Sequence, residues 1–214
     1  MTYVKWSELY SDQINSYDDI FGFIEKKLSN KKNIINLVIK YAKESFIEIG
    51  SGTGILCVHF ANLGLDVVGI DNDKDMLDIS LEVKKAYAKS DKVKFYYQDL
   101  FEITTKKKYD VIFSNGVLEH YSNEEIIKAI ELQHEIAETV IICIPTKFFS
   151  TKTAMYGNER YLALSDWRKL IKDAGSNIIE ESYYEYFTNF QKIYRVDKWM
   201  KPKPFHIFVC QKNK

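Results

Sequence analysis

The stretch Glu48-Ile49-Gly50-Ser51-Gly52-Thr53-Gly54 brings a carboxylate and three glycines into seven residues. Glycines directly after a strand let the chain turn tightly and allow a ligand close to the N-terminus of the next helix. Several nucleotide-binding folds share that pattern, and three details separate them. A dinucleotide fingerprint aligned on Gly50 and Gly52 needs Gly or Ala at position 55, where Ile55 stands. No Gly-Lys-Ser/Thr follows, which excludes a P-loop. Glu48, two residues before the first glycine, would repel a pyrophosphate and favour a ligand carrying an ammonium and a sulfonium. The ligand implied for Glu48, Gly50, Ser51, Gly52 and Gly54 is therefore a cation-bearing nucleoside.

Three further positions extend the reading. Asp71, with Asn72 beside it, lies about twenty residues beyond the glycines, where an acidic side chain can accept from both ribose hydroxyls. Asp99 can accept from an adenine exocyclic amine, with Leu100 packing on the ring. Asn115-Gly116-Val117 completes the set.

The elements needed to position these residues are legible as an alternation. Phe46 to Ile49, Val67 to Ile70, Val93 to Tyr97, Tyr109 to Ser114 and Thr139 to Ile144 read as five strands. Helices are expected at about 55–63, closed by Gly64, and at 73–89, capped by Asn72 or Asp73. A third begins at the capping box Ser122-Asn123-Glu124-Glu125 and runs to about Glu138. A fourth, 166–174, has Ser165 as its cap and Gly175 as its stop. Two last strands, about 177–186 and 205–211, are expected to pair antiparallel. This spacing predicts an α/β fold, a doubly wound, mostly parallel sheet covered on both faces. Glu48, Asp71, Asp99 and Asn115 then all stand at the carboxyl edge, where open α/β sheets bind ligands. Residues 1–43 read as a helical extension or lid with two apolar stripes, Ile20, Phe21, Phe23, Ile24, Leu28 and Ile34, Ile35, Leu37, Val38, Tyr41. Residues 44–214 read as the main domain.

Composition narrows the function classes. Thirty basic residues balance thirty acidic ones, so there is no net electrostatic footprint for nucleic acid or anionic lipid. The longest apolar runs, such as Val140 to Ile144, fall far short of the ~20 residues of a membrane span, and the first residues lack a signal-peptide pattern. A cytoplasmic protein is expected. Cys57, Cys143 and Cys210 are too sparse for a disulfide framework or zinc knuckle, and His59, His134 and His206 show no ligand spacing, so no metal is expected.

Over residues 44–212 the sequence resembles the class I S-adenosylmethionine-dependent methyltransferases. The resemblance is carried by Glu48 to Gly54, Asp71, Gln98-Asp99-Leu100, the run Asp110 to His120 (DVIFSNGVLEH), and the stretch Leu164 to Gly175 before the antiparallel pair. It implies a seven-stranded Rossmann-like sheet with the final strand inserted antiparallel, S-adenosyl-L-methionine as cofactor, and in-line methyl transfer to a small-molecule acceptor at O, N or C. Ser114-Asn115-Gly116-Val117 stands in place of the Asn-Pro-Pro-Tyr element of adenine and glutamine-amide enzymes, and no Pro-Cys nucleophile is present. A catalytically silent relative used for binding or regulation is the alternative; a nicotinamide-dependent oxidoreductase is disfavoured by Glu48 and Ile55.

On the acceptor side, His120 is the candidate base, since an imidazole titrates near pH 6.5, with a loop-holding role as the alternative. Residues 146–161 should wall the acceptor pocket through Phe148, Tyr156 and Arg160, the arginine facing an acidic acceptor or a neighbouring carboxylate. Trp6, Tyr10 and Tyr17 either cover the cofactor or pack on the main domain.

Overall fold

A computed structural model describes residues 5–146, 158–184 and 205–213. Seven strands form one sheet: β1 (Ser45–Ile49), β2 (Asp66–Asp71), β3 (Val93–Tyr97), β4 (Tyr109–Asn115), β5 (Ala137–Pro145), β6 (Ser176–Tyr184) and β7 (Phe205–Lys212). Their order is β3-β2-β1-β4-β5-β7-β6, parallel through β5, with β7 inserted antiparallel between β5 and β6. The Rossmann-like architecture expected from the sequence is the one found.

Side-chain alternation divides the interior in two. Phe46, Val111, Phe113, Ile141, Cys143, Ile207 and Val209 face one layer. There they meet α2 (Ile20–Asn30), α3 (Lys32–Tyr41) and α4 (Ile55–Asn62) through Phe23, Ile24, Ile34, Leu37, Val38 and Phe60. Ile47, Ile49, Ile112, Val140, Ile142, Phe208 and Cys210 face α6 (Asn123–Ile136) and α7 (Leu164–Asp173), where Trp167 is fully buried. Both faces of β1 are covered, so all five of its residues are buried, Glu48 among them. The three thiols are buried and form no disulfide, Cys57 and Cys143 in the first layer and Cys210 in the second.

Helix α1 (Trp6–Asn15) stacks Trp6 on Tyr10 and packs with α2 against α5 (Lys74–Tyr87). The first apolar stripe needs one correction: Phe23 and Ile24 are buried but Phe21 is 49% exposed, because the helix turns only a narrow face to the core.

Caps set most boundaries. Asp73 caps α5 by accepting from Asp75 and Met76 N–H, and Ser122 and Glu125 form both halves of the capping box of α6. Two expectations fail. Helix α6 ends at Ile136, not Glu138, and β5 starts at once, because Ala137 is already extended and pairs with Tyr109 of β4. Ser165 does not cap α7; the helix begins at Leu164 after Ala163, whose carbonyl accepts from Asp166 and Trp167 N–H. At the amino end of the sheet, Asp110 Oδ2 accepts from the N–H groups of Lys43, Glu44 and Ser45, tying the start of β1 to β4. The opposite, carboxyl end is where the polar residues gather.

Candidate active site

The turn after β1 holds Gly50, Gly52 and Gly54 at φ of 64°, 54° and 68°, the left-handed region that side chains disfavour. Ser51 N–H donates to Ile70 O (3.0 Å) and Gly54 N–H to Ser51 O (2.9 Å), which ties the turn to β2 and closes it before α4. A Cβ at Gly54 would lie 2.6 Å from Phe95 Cζ and 2.8 Å from Ser80 Cβ, so the turn is pressed onto β3 and α5. At Gly52 the nearest side-chain atom would be Met76 Cε at 3.7 Å, leaving that segment open toward a ligand.

Asp71, 8% exposed, fastens this turn from the end of β2. Its Oδ2 accepts from Gly52 N–H (2.8 Å) and its Oδ1 from Asp73 N–H (2.9 Å). Burial raises its pKa, and those two backbone donors hold it down. Its neighbour Asn72 is exposed.

Glu48 is 5% exposed and accepts from the Cys57 thiol (3.0 Å). Burial lifts its pKa to about 7, against the hydrogen bond from Cys57 and the positive charge of Lys31. Lys31, at the junction of α2 and α3, was not singled out from the sequence. Burial lowers its pKa, while the charge of Glu48 opposes that shift. Only the packing of the N-terminal helices brings this ammonium to the crevice, so neither motif nor spacing marks it.

Beyond β3, Asp99 accepts from Phe101 N–H (2.8 Å) and caps a 3-10 turn over Leu100–Glu102. Leu100 is 4% exposed and lies in the core with Ile49, Ile70 and Leu118, forming a floor to the crevice. Phe101 and Tyr121 meet edge to face at 5.3 Å, and the charge of Asp99 acts on the Tyr121 hydroxyl. This aromatic pair was also not foreseen.

After β4 the chain bends at Gly116 (φ 69°), whose N–H donates to Cys143 O (3.1 Å). Asn115 Oδ1, Ser51 Oγ and Glu119 Oε2 are buried and have no hydrogen-bond partner among the described residues. Glu119, 3% exposed, sits in a 3-10 turn, Leu118–His120, and burial followed by the charge of Glu159 lifts its pKa to about 8. His120 Nδ1 lies 2.8 Å from Asn158 Oδ1. With that oxygen accepting, Nδ1 carries the proton and Nε2 the lone pair. The guanidinium of Arg160 is turned to Tyr121 O and Asn123 Oδ1 at the start of α6, and Arg160 N–H donates to Glu119 O (2.9 Å). The expected partner for an acidic acceptor is thus engaged by the protein itself, through the Tyr121 carbonyl and the Asn123 side chain. Phe148 and Tyr156 lie outside the described residues. Trp6, Tyr10 and Tyr17 belong to the helical layer: Tyr10 packs on its core, and Tyr17 meets Phe23 edge to face at 5.7 Å.

The crevice thus offers backbone N–H groups at an open glycine turn, a buried acid and base, Glu48 and Lys31, that act on one another, carboxylates at successive strand ends, and polar atoms after β1 and β4 that have no partner among the described residues. A flexible zwitterionic nucleoside with a cationic centre fits that set. A family profile described as "Methyltransferase domain" matches residues 40–195. An uncharacterized methyltransferase of Staphylococcus carnosus is 24% identical over 98% of this chain and 92% of its own length. A malonyl-[acyl-carrier protein] O-methyltransferase of Ilyobacter polytropus is 27% identical over 56% of this chain and 46% of its own length. Among solved structures, the magnesium protoporphyrin IX methyltransferase of Synechocystis, crystallised with bound SAH, superposes with a TM-score of 0.66 at 18% identity, covering 91% of this chain and 85% of the other.

Proposed function

The chain belongs to the methyltransferase-domain family, and from that premise we propose that it moves the methyl group of S-adenosylmethionine onto a small-molecule acceptor. When bound, S-adenosylmethionine supplies a methyl group on a positively charged sulfur, which leaves within a neutral thioether. The residues of this chain bind, orient and shield. Glu48 and Lys31, an acid and a base whose charges act on one another, suit the ammonium and carboxylate of the methionine portion. Gly50, Ser51, Gly52 and Gly54 let the backbone approach the ligand closely. Asp71 accepts from the ribose hydroxyls with lone pairs not engaged by Gly52 and Asp73. Asn72 closes the outer side, Asp99 accepts from the adenine amine, and Phe101 with Tyr121 flanks that end above Leu100. Asn115 and Gly116 line the wall toward the acceptor.

His120 takes the proton that a nucleophile must lose, through the lone pair on Nε2. A small acceptor is supported by the balanced charge of the chain, which presents no excess of cations for a polyanion. It is supported too by the magnesium protoporphyrin IX named for the similar Synechocystis structure.

The observation that carries this reading is the burial of Ser51 Oγ and Asn115 Oδ1, without a hydrogen-bond partner among the described residues, at the ends of the adjacent strands β1 and β4. Buried polar atoms are rarely left so, and a polar ligand lying across both strand ends satisfies them. Calorimetry with S-adenosylmethionine and S-adenosylhomocysteine tests it. Both should bind at micromolar to submillimolar concentrations, and Ser51→Ala with Asn115→Ala should weaken both. The absence of binding at millimolar concentrations would end the reading.

A further inference from the structure

Glu119 is placed where charge on the acceptor matters. It follows β4 in the turn Leu118–His120, and its Oε1 would lie 3.5 Å from a Cβ on Gly116, so the carboxyl group abuts the bend at the carboxyl end of the sheet. It is 3% exposed, and its Oε2 meets no donor among the described residues. The charge acting on it is that of Glu159, and both carboxylates act on the Tyr161 hydroxyl. Among the described residues, the nearby guanidinium of Arg160 is engaged elsewhere, donating to Tyr121 O and Asn123 Oδ1. A buried carboxylate with an unmet oxygen and a second carboxylate for company calls for a cationic donor.

Resting on the donor reading above, we propose that the acceptor is a small amine and that Glu119 is the residue that selects it. The amine enters as an ammonium and donates to Glu119. One proton passes from nitrogen to His120 Nε2 and on to solvent. The nitrogen lone pair then forms the N–CH3 bond as the S–CH3 bond breaks, its electron pair remaining on sulfur. Positive charge moves from sulfur to nitrogen and so arrives beside Glu119 and Glu159, where fixed negative charge stabilises it. An alkoxide or carboxylate nucleophile would instead bring negative charge beside Glu159 and would gain no counter-charge from Glu119, which is unfavourable in a buried site. Burial lifts the pKa of Glu119 to about 8. An arriving ammonium lowers that pKa, and the displaced proton leaves to solvent.

The test is a binding comparison on the full chain saturated with S-adenosylhomocysteine, using benzylamine, benzyl alcohol and benzoate, which share one size and differ in charge. Benzylamine should bind about tenfold or more tightly than either of the others. Glu119→Gln should bring benzylamine and benzyl alcohol to parity, and Glu119→Asp should restore part of the preference, with the affinity for S-adenosylhomocysteine unchanged in both. That unchanged affinity shows that the variants fold. Benzyl alcohol or benzoate binding as tightly as benzylamine, a preference surviving in Glu119→Gln, or no benzylamine binding at about 10 mM would each overturn the proposal. Failure of the wild-type chain to bind S-adenosylhomocysteine strikes the donor reading itself, and this proposal with it.

Discussion

The two halves of the crevice are built differently. On the donor half, at the ends of β1, β2 and β3, each carboxylate already has donors: Asp71 has Gly52 and Asp73, Asp99 has Phe101, and Glu48 has Cys57. On the acceptor half, after β4, Glu119 keeps one oxygen without a donor, and the wall is completed by residues 158–161 returning from far along the chain. Donors fixed before a ligand arrives cost little reorganisation when it binds, so the donor half is preorganised. The acceptor half holds a carboxyl oxygen, Glu119 Oε2, with no donor among the described residues. One half defines what is always bound, and the other leaves room for choice.

That contrast is broken most severely at Gly54. Gly54→Ala places a methyl group against Phe95 and Ser80 at a left-handed φ. The conformation costs about 1–2 kcal/mol and the overpacking about 1–3 kcal/mol, so thermal unfolding should show a loss of about 2–5 kcal/mol and donor binding should vanish with it. Gly52→Asp separates the two effects. Its Cβ has ordinary contacts only, and Asp tolerates positive φ, so the fold should survive. The new carboxyl group lies on the open side of the turn and should lower the affinity for S-adenosylmethionine by about a hundredfold or more. Unchanged affinity in that variant would remove the glycine turn from the donor site.

Glu48 sharpens the comparison through pH. Its pKa is raised from 4.5 to about 7 in the fold, so the folded chain holds the proton more tightly than the unfolded one. The stability linked to that proton is complete below about pH 4.5 and is lost as pH rises through about 7. Glu48→Gln should therefore raise stability at pH 8 by about 1–2 kcal/mol, at the low end because Lys31 loses the charge that supports its own. The ligand asks for the opposite state. A cation binds the ionised carboxylate, so donor affinity should fall about five- to tenfold from pH 7.5 to pH 6. In Glu48→Gln the affinity should be lower throughout and flat over that range. A profile in which the wild type and the variant share one slope would separate Glu48 from the donor.

The same division explains what could be seen in advance. Gly50 to Gly54, Asp71 and Asp99 act through backbone turns and caps that span a few residues, so their types and spacing announce them. The capping box at Ser122 and the strand Val93 to Tyr97 were legible for the same reason. Lys31 comes within electrostatic range of Glu48 only because the apolar faces of α2 and α3 pack onto the sheet, and nothing local to Lys31 encodes that. Glu119 stood in plain view beside His120, but its burial follows from the return of residues 158–161. At the junction of α6 and β5 and at Ser165, helix propensity and capping preference gave way to strand pairing and to the path of the chain.

Arg160 provides the smallest test and bears on how far the acceptor half is fixed. Its guanidinium joins Tyr121 O and Asn123 Oδ1, while its backbone N–H holds Glu119 O. Side chain and backbone thus clamp the 158–161 segment onto the turn that carries Glu119 and His120. Arg160→Met keeps much of the length and removes the donors, leaving Tyr121 O and Asn123 Oδ1 at a partly exposed helix start where solvent can replace them. The cost should be about 1 kcal/mol in thermal unfolding, and the affinity for S-adenosylmethionine should not change. Because the backbone bond to Glu119 survives, the preference for benzylamine should persist, weakened by about twofold as the wall loosens. A loss of donor affinity in this variant would mean that the two halves are one mechanical unit, contrary to the independence inferred from their separate hydrogen bonds.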